Sequence, residues 1–257
     1  MRAPRKRFGQ HFLSDQAIVQ RIVDALAPQR GQHLIEIGPG QGALTMPVLK
    51  RTGQLEVVEI DRDLIPEIEA RHREGGNLTI HEADAMTFDY ASLKQDERFL
   101  RVFGNLPYNI STPLLFHLLD YADIISDMLF MLQKEVAMRI ASPAGDDDYG
   151  RLSVMAQYRC EAECLFDVPP GAFYPPPKVQ STIIRITPYK TLPYQAKDFK
   201  LFDTIVRQAF GQRRKTIRNS LKGIVDDAAW SNLSIRSDVR AETLTVKDFV
   251  EISNAIA

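Results

Sequence analysis

Apolar residues in the first 190 positions fall in short runs, each closed by a glycine-, proline- or charge-marked break. Residues 33–37 (HLIEI), 55–60 (LEVVEI), 78–80, 99–103 (FLRVF) and 128–132 (MLFML) have the length and branched or aromatic character of buried strands. Between them lie stretches that suit helices: 43–50 after the turn GPGQG, the charged segment 61–72, and 113–119 behind a Ser-Thr-Pro start signal. Strands alternating with helices predict an α/β fold with a doubly wound, mostly parallel sheet. Residues 163–168 and 182–187 read as two further strands forming an antiparallel edge, joined by a rigid proline-rich turn over 169–177.

The pattern changes near 188–193. Beyond it, 199–210, 213–224 and 246–257 suit helices and no strand signal is strong. Two domains are therefore expected: 1–189, carrying the sheet, and 190–257, small and all-helical. The stretch 141–150 (ASPAGDDDYG) reads as a loop. No internal repeat is found.

Composition is that of an ordinary globular chain, with 44% hydrophobic and 25% charged residues over 257 positions. No apolar run approaches the roughly 20 residues of a membrane span, and the basic start of the chain lacks the apolar region of a signal peptide. The two cysteines, Cys160 and Cys164, have no second pair or histidine cluster beside them, so no metal is expected and both read as reduced thiols of a cytoplasmic protein. Net charge is −1, but its distribution is uneven. Arg5, Lys6 and Arg7 crowd one end. Arg207, Arg213, Arg214, Lys215, Arg218 and Lys222 form a second cluster, with no acid between the first and the last. Two such clusters predict a localised anionic partner, against the plainer reading of two solvated faces.

The turn Gly38-Pro39-Gly40-Gln41-Gly42 follows a strand and opens a helix, an arrangement that brings backbone close to a ligand. Glu59 ends the next strand, 21 positions after Gly38, where a carboxylate can accept from both hydroxyls of a ribose. Proline in the turn and the missing spaced third glycine argue against a dinucleotide. With no pyrophosphate to cradle, S-adenosylmethionine fits better. Asp84, at the end of the third strand and followed by Ala85, is placed to accept from an adenine amine; a helix cap is its plainer role.

Asn105-Leu106-Pro107-Tyr108 follows the fourth strand, at the carboxyl edge where open sheets bind ligands. The residue types suit an exocyclic adenine amine, whose lone pair is delocalised into the ring. Two acceptors on its N–H bonds, the Asn105 side-chain oxygen and the Leu106 carbonyl, favour the pyramidal form that can attack. Pro107 stiffens the turn, and Tyr108 offers a ring for the base to stack on. Methyl transfer from a sulfonium is a direct in-line displacement needing neither a covalent nucleophile nor a metal, so proximity and orientation supply much of the acceleration. Phe173 is expected to close the other face of the base, with Tyr174 as the alternative.

At these residues the chain resembles the bacterial small-subunit (16S) ribosomal RNA adenine N6,N6-dimethyltransferases, the family associated with kasugamycin sensitivity. The matching pieces are KRFGQHFL (6–13), EIGPGQGALT (36–45), VEID (58–61), DAM (84–86), FGNLPYNISTP (103–113), MLQKEVAMR (131–139), YGRLSV (149–154), PPPKVQS (175–181) and AFGQRRKTIRNSL (209–221). The resemblance implies a Rossmann-like S-adenosylmethionine-dependent methyltransferase domain with a small C-terminal helical domain. It implies cofactor contacts at His11, Leu13, Gly38, Glu59, Asp84 and Asn105, with Gln10, Gly40 and Ala85 as neighbouring candidates. His11 stands where many relatives carry asparagine, which implies tuned affinity; histidine also titrates near neutrality.

The resemblance further implies dimethylation of two adjacent adenosines in a hairpin loop near the 3′ end of small-subunit RNA, within an assembling pre-30S particle whose phosphates the basic segment would grip. A monomer is the default expectation. Two rivals stand beside this reading. One is a large-subunit RNA adenine methyltransferase of the macrolide-resistance type, which shares the tetrapeptide. The other is a nucleic-acid-binding assembly factor that needs no activity.

Overall fold

A computed structural model describes residues 11–72, 76–212 and 214–257. Nine strands and ten helices run in the order β1 (Phe12–Leu13), α1 (Gln16–Leu26), β2 (His33–Ile37), α2 (Thr45–Thr52), β3 (Gln54–Glu59), α3 (Ile65–Arg71), β4 (Asn77–Glu82), β5 (Leu100–Asn105), α4 (Ser111–Leu119), β6 (Ile125–Gln133), α5 (Lys134–Ala141), α6 (Arg151–Gln157), β7 (Cys160–Val168), β8 (Phe173–Tyr174), β9 (Ser181–Pro188), α7 (Phe199–Phe210), α8 (Ile217–Ser220), α9 (Asp227–Ser231) and α10 (Val246–Asn254) among the described residues. None of these helices is long and apolar enough to cross a membrane.

Seven strands form one sheet in the order β4-β3-β2-β5-β6-β9-β7. The first five run parallel, and β9 is antiparallel to β6. The chain lays down β2, β3 and β4 toward one edge, then returns to start β5 on the other side of β2. That reversal between β2 and β5 is the switch point at which open α/β sheets bind ligands. Register aligns the carboxyl ends there, with Glu36 opposite both Val57 and Phe103. The approach is so close that a Cβ on Gly104 would lie 2.3 Å from the Ile37 carbonyl oxygen; only glycine fits in β5 at that point.

Helix α1, absent from the sequence reading, packs on this sheet. Asp15 caps it by accepting from the Ala17 and Ile18 amides at 2.8 and 3.2 Å, and Val19, Ile22, Val23 and Leu26 bury one face. At its other end Arg101 of β5 donates to the Leu26 carbonyl at 2.8 Å while pairing with both Asp127 oxygens at 2.7 and 2.9 Å. This fork satisfies an orphan helix carbonyl and a partly buried carboxylate together. A two-stranded antiparallel ladder, β1 with β8, sets Leu13 opposite Phe173 and Phe12 opposite Tyr174.

The chain divides into two compact units, one holding residues to Ala137 with Glu163–Pro188, the other Met138–Ala162 with Tyr189–Ala257. The sequence reading assigned 138–162 to the sheet domain. Helix α6 within that stretch is instead counted with α7, and Tyr158 meets Phe202 at 4.6 Å between ring centroids. The helix expected over 213–224 is only α8, where Ile217 and Leu221 supply two buried anchors before Gly223 turns left-handed at φ 87°. Cys160 and Cys164 lie on β7 and are free.

Candidate active site

The turn after β2 places Gly38, Gly40 and Gly42 at φ 64°, 56° and 78°, a region that side chains with a Cβ avoid. The Gly38 amide donates to the Val58 carbonyl at 3.0 Å and ties the turn to β3. A Cβ at Gly40 would press on the Phe12 ring at 3.3 Å. The turn forms one wall of a cleft of about 220 Å³ that also takes in His11, Leu13, Glu59, Asp84, Ala85 and residues 105–110.

Two carboxyl groups face this cleft from the ends of adjacent strands. Glu59 is 5% exposed and accepts from the Asp61 amide at 2.8 Å and the Gly40 amide at 3.3 Å. Burial pushes its pKa up, opposed by those two donors. Glu36 is more deeply set, and Thr45 Oγ1 donates to its Oε2 at 2.6 Å. Burial raises its carboxyl to about 8, against the Thr45 hydrogen bond, and the neighbouring Glu59 charge adds to the rise. Glu36 carries no expected role from the sequence, although an acid inside the apolar strand HLIEI is a signal for one. A cationic ligand relieves the strain of ionising two buried carboxyls, and Ile37, Leu44, Val58, Ile60 and Leu64 offer apolar walls to a ring system. S-adenosylmethionine, with a sulfonium, an ammonium, a ribose and no phosphate, fits this donor set. Asp84 is exposed at the cleft; its Oδ1 accepts from the Met86 amide at 2.9 Å, which leaves Oδ2 for an adenine amine.

Asn105 ends β5. Its Nδ2 donates to the His11 carbonyl at 3.0 Å, which fixes the amide so that Oδ1 is the free acceptor. Leu106 is buried, and its amide donates to the Met131 carbonyl at 3.3 Å. Tyr108 is held from two sides: its hydroxyl bonds the Ser181 hydroxyl at 2.8 Å, and its ring stacks on His11 with centroids 5.8 Å apart and planes 28° apart. Desolvation raises the Tyr108 pKa, only partly offset by the Ser181 bond, so the phenol stays neutral. His11 Nδ1 lies 2.8 Å from the Pro175 carbonyl, which can only accept, so Nδ1 carries the hydrogen. The sequence reading missed Ser181, Phe12 and Gly104, whose roles depend on pairing between distant segments.

Phe173 departs from expectation. It is 4% exposed, packed in a core cluster with Leu13, Val168 and Ala172, and is not among the cleft-lining residues. The ladder to β1 turns it inward and its neighbour Tyr174 outward, as strand alternation requires. Gln10, Arg5, Lys6, Arg7 and Arg213 lie outside the described residues. In the second unit Arg207, Arg214, Lys215 and Lys222 are exposed. Arg218 pairs with Asp227 at 2.7 Å, so acids just beyond the basic run temper it.

The family model described as ribosomal RNA adenine dimethylase matches residues 1–257. The chain belongs to that family. Ribosomal RNA adenine dimethylases are S-adenosylmethionine-dependent methyltransferases. Similar proteins include the ribosomal RNA small subunit methyltransferases A of Aromatoleum aromaticum, 55% identical over 98% of this chain and 94% of that one, and of Marinomonas sp., 53% identical over 98% and 95%. Among solved structures, a dimethyladenosine transferase from Plasmodium falciparum superposes with a TM-score of 0.77 at 24% identity over 94% and 96% of the two chains. The 23S rRNA methyltransferase ErmE gives 0.72 at 23% over 95% and 99%. Both show the shared Rossmann-like methyltransferase fold.

Proposed function

We propose that this enzyme dimethylates the N6 amines of two adjacent adenosines in the 3′-terminal hairpin loop of small-subunit (16S) ribosomal RNA, in the cytoplasm and within an assembling pre-30S particle. The observation that carries the chemistry is the tether from Asn105 to the His11 carbonyl. It presents Asn105 Oδ1 as an acceptor at the edge of the donor cleft, and a neutral adenine amine is the donor it suits. The Leu106 carbonyl takes the second N–H. With both N–H bonds drawn into the plane of these acceptors, the nitrogen lone pair turns toward the methyl group and displaces the thioether in line. The proton leaves afterwards from the methylated nitrogen to water. One N–H remains for the second round, so the pocket must then admit a methyl group in place of a hydrogen.

The choice of small-subunit RNA rests on the relatives at 50% identity and above, which bear that name over nearly the whole chain. Arg207, Arg213, Arg214, Lys215 and Lys222 would bind phosphates, with Arg5, Lys6 and Arg7 as a second contact. An intact Asn105-Leu106-Pro107-Tyr108 argues against a purely structural assembly factor.

The test is methyl transfer from labelled S-adenosylmethionine to small subunits purified without this modification, with large subunits alongside, followed by nucleoside analysis. Dimethyladenosine in small-subunit RNA alone is expected. Label confined to large-subunit RNA would overturn the substrate assignment.

A further inference from the structure

Tyr174 is 56% exposed, although it belongs to a β-strand and adjoins a core phenylalanine. Its backbone is held against Phe12, and among the described residues its phenol makes no hydrogen bond. The segment that carries it is pinned to the cleft at both ends. Ala172 accepts from the Ser14 amide at 2.9 Å, Pro175 from His11 at 2.8 Å, and Ser181 bonds the Tyr108 hydroxyl at 2.8 Å. Prolines at 175, 176 and 177 stiffen the span between, and Lys178 and Val179 are exposed beyond them. The result is an aromatic ring on a fixed mount, tied to the residues that line the cleft yet not itself part of its lining.

Resting on the reading of the site as an RNA adenine dimethylase, we propose that Tyr174 is a stacking platform for the nucleotide next to the target adenosine. A base drawn into the cleft must leave its stack, which bares one face of its neighbour. A rigid, exposed tyrosine covers such a face with little loss of side-chain freedom, and stacking tolerates any base. The inward turn of Phe173 and the outward turn of Tyr174 follow from the same ladder, so the platform is built by the β1–β8 pairing and not by a mobile loop. Lys178, also exposed, stands on the same pinned segment with a charge suited to the adjoining phosphate.

The experiment compares wild type, Tyr174→Ala and Tyr174→Phe on undermethylated small subunits, recording KM for particles, kcat, and S-adenosylmethionine affinity by calorimetry. Tyr174→Ala should raise KM for particles about 5- to 150-fold, the cost of one lost base stack, with cofactor affinity unchanged and Tyr174→Phe close to wild type. Equal KM for all three overturns the proposal. So does a Phe variant as poor as Ala, which would assign the effect to the hydroxyl, or an Ala variant that loses cofactor affinity in proportion, which would make the residue structural. If wild type itself methylates no small subunits, the substrate reading has failed separately. Binding of a fluorescent oligoadenylate to the same three proteins then decides: weaker binding by Ala alone supports the platform, and equal binding overturns it.

Discussion

The side-chain amide of Asn105 and the main-chain carbonyl of His11 lie 3.0 Å apart, joined across 94 positions of sequence. The side chain proposed to orient the target amine is therefore itself oriented by a residue that lines the cleft. Asn105→Ala should lower kcat/KM by about 10²- to 10³-fold, the usual cost of removing one preorganised polar group from a transition state. Cofactor affinity, measured by calorimetry, should change far less. A variant that turns over normally would remove Asn105 from the chemistry.

Gly104 gives a prediction about stability. A methyl group there would meet the Ile37 carbonyl oxygen at 2.3 Å, so Gly104→Ala must push β5 from β2. Overpacking of this kind costs about 1–3 kcal/mol. For a chain of this size that is a fall of roughly 2–12 °C in melting temperature. Because the displaced strands carry both the glycine turn and Asn105, cofactor binding should weaken as well. An unshifted melting curve would contradict the close approach.

Glu36 sets a pH dependence. Its folded-state pKa, raised to about 8, lies above that of the unfolded chain, so the folded protein holds the extra proton through the interval from about 4.5 to 8. Stability contributed by the neutral form is present below that interval and is lost as pH rises through it, at up to about 1.4 kcal/mol per pH unit. Glu36→Gln keeps an acceptor for Thr45 and should flatten the curve of melting temperature against pH. A bound sulfonium favours the ionised carboxyl, so cofactor binding should release a proton near neutrality, detectable by calorimetry in buffers of different ionisation enthalpy.

The bond between Tyr108 and Ser181 separates ring from hydroxyl. Tyr108→Phe forfeits one hydrogen bond, worth about 0.5–1.5 kcal/mol, and should keep most activity. Tyr108→Ala forfeits the stacking surface too and should be much poorer in kcat/KM. Steady-state kinetics on the same particles would compare them, and equal losses would make the hydroxyl the essential part.

Charge in the second unit predicts a graded salt effect. Each phosphate contact removed should lower the slope of log affinity against log salt by about 0.7–0.9. Arg214→Gln with Lys215→Gln should show this. Arg218→Gln should show less, because Asp227 already offsets that charge at 2.7 Å. An unchanged slope in the double variant would make the cluster a solvated face.

The parts of the site that were legible in the sequence are those built by consecutive residues. A strand, a glycine turn and a helix over 33–50, an acid ending the next strand at Glu59, and a proline turn after β5 each announce themselves locally. Helix α1 also carried local signals, Asp15 at its cap and apolar residues at 19, 22, 23 and 26, so its omission reflects no missing information. Phe173 differs in kind. Whether it faces the cleft or the core depends on its pairing with Leu13, some 160 positions away, and one step of register would exchange it with Tyr174. Glu36 likewise needed the neighbouring strands in place before its burial, and with it its raised pKa, could be seen.

Strands β2 and β5 lie side by side because Gly104 lets them, at the ~4.8 Å spacing of a hydrogen-bonded sheet. One leads into the glycine turn and the other ends in Asn105. In the proposed reaction the donor's turn and the acceptor's strand are therefore spaced by main-chain pairing, apart from the side chains proposed to choose the RNA. On that proposal, drift in the basic patch or at the rim can change which adenosine is presented while leaving the strand spacing as it was.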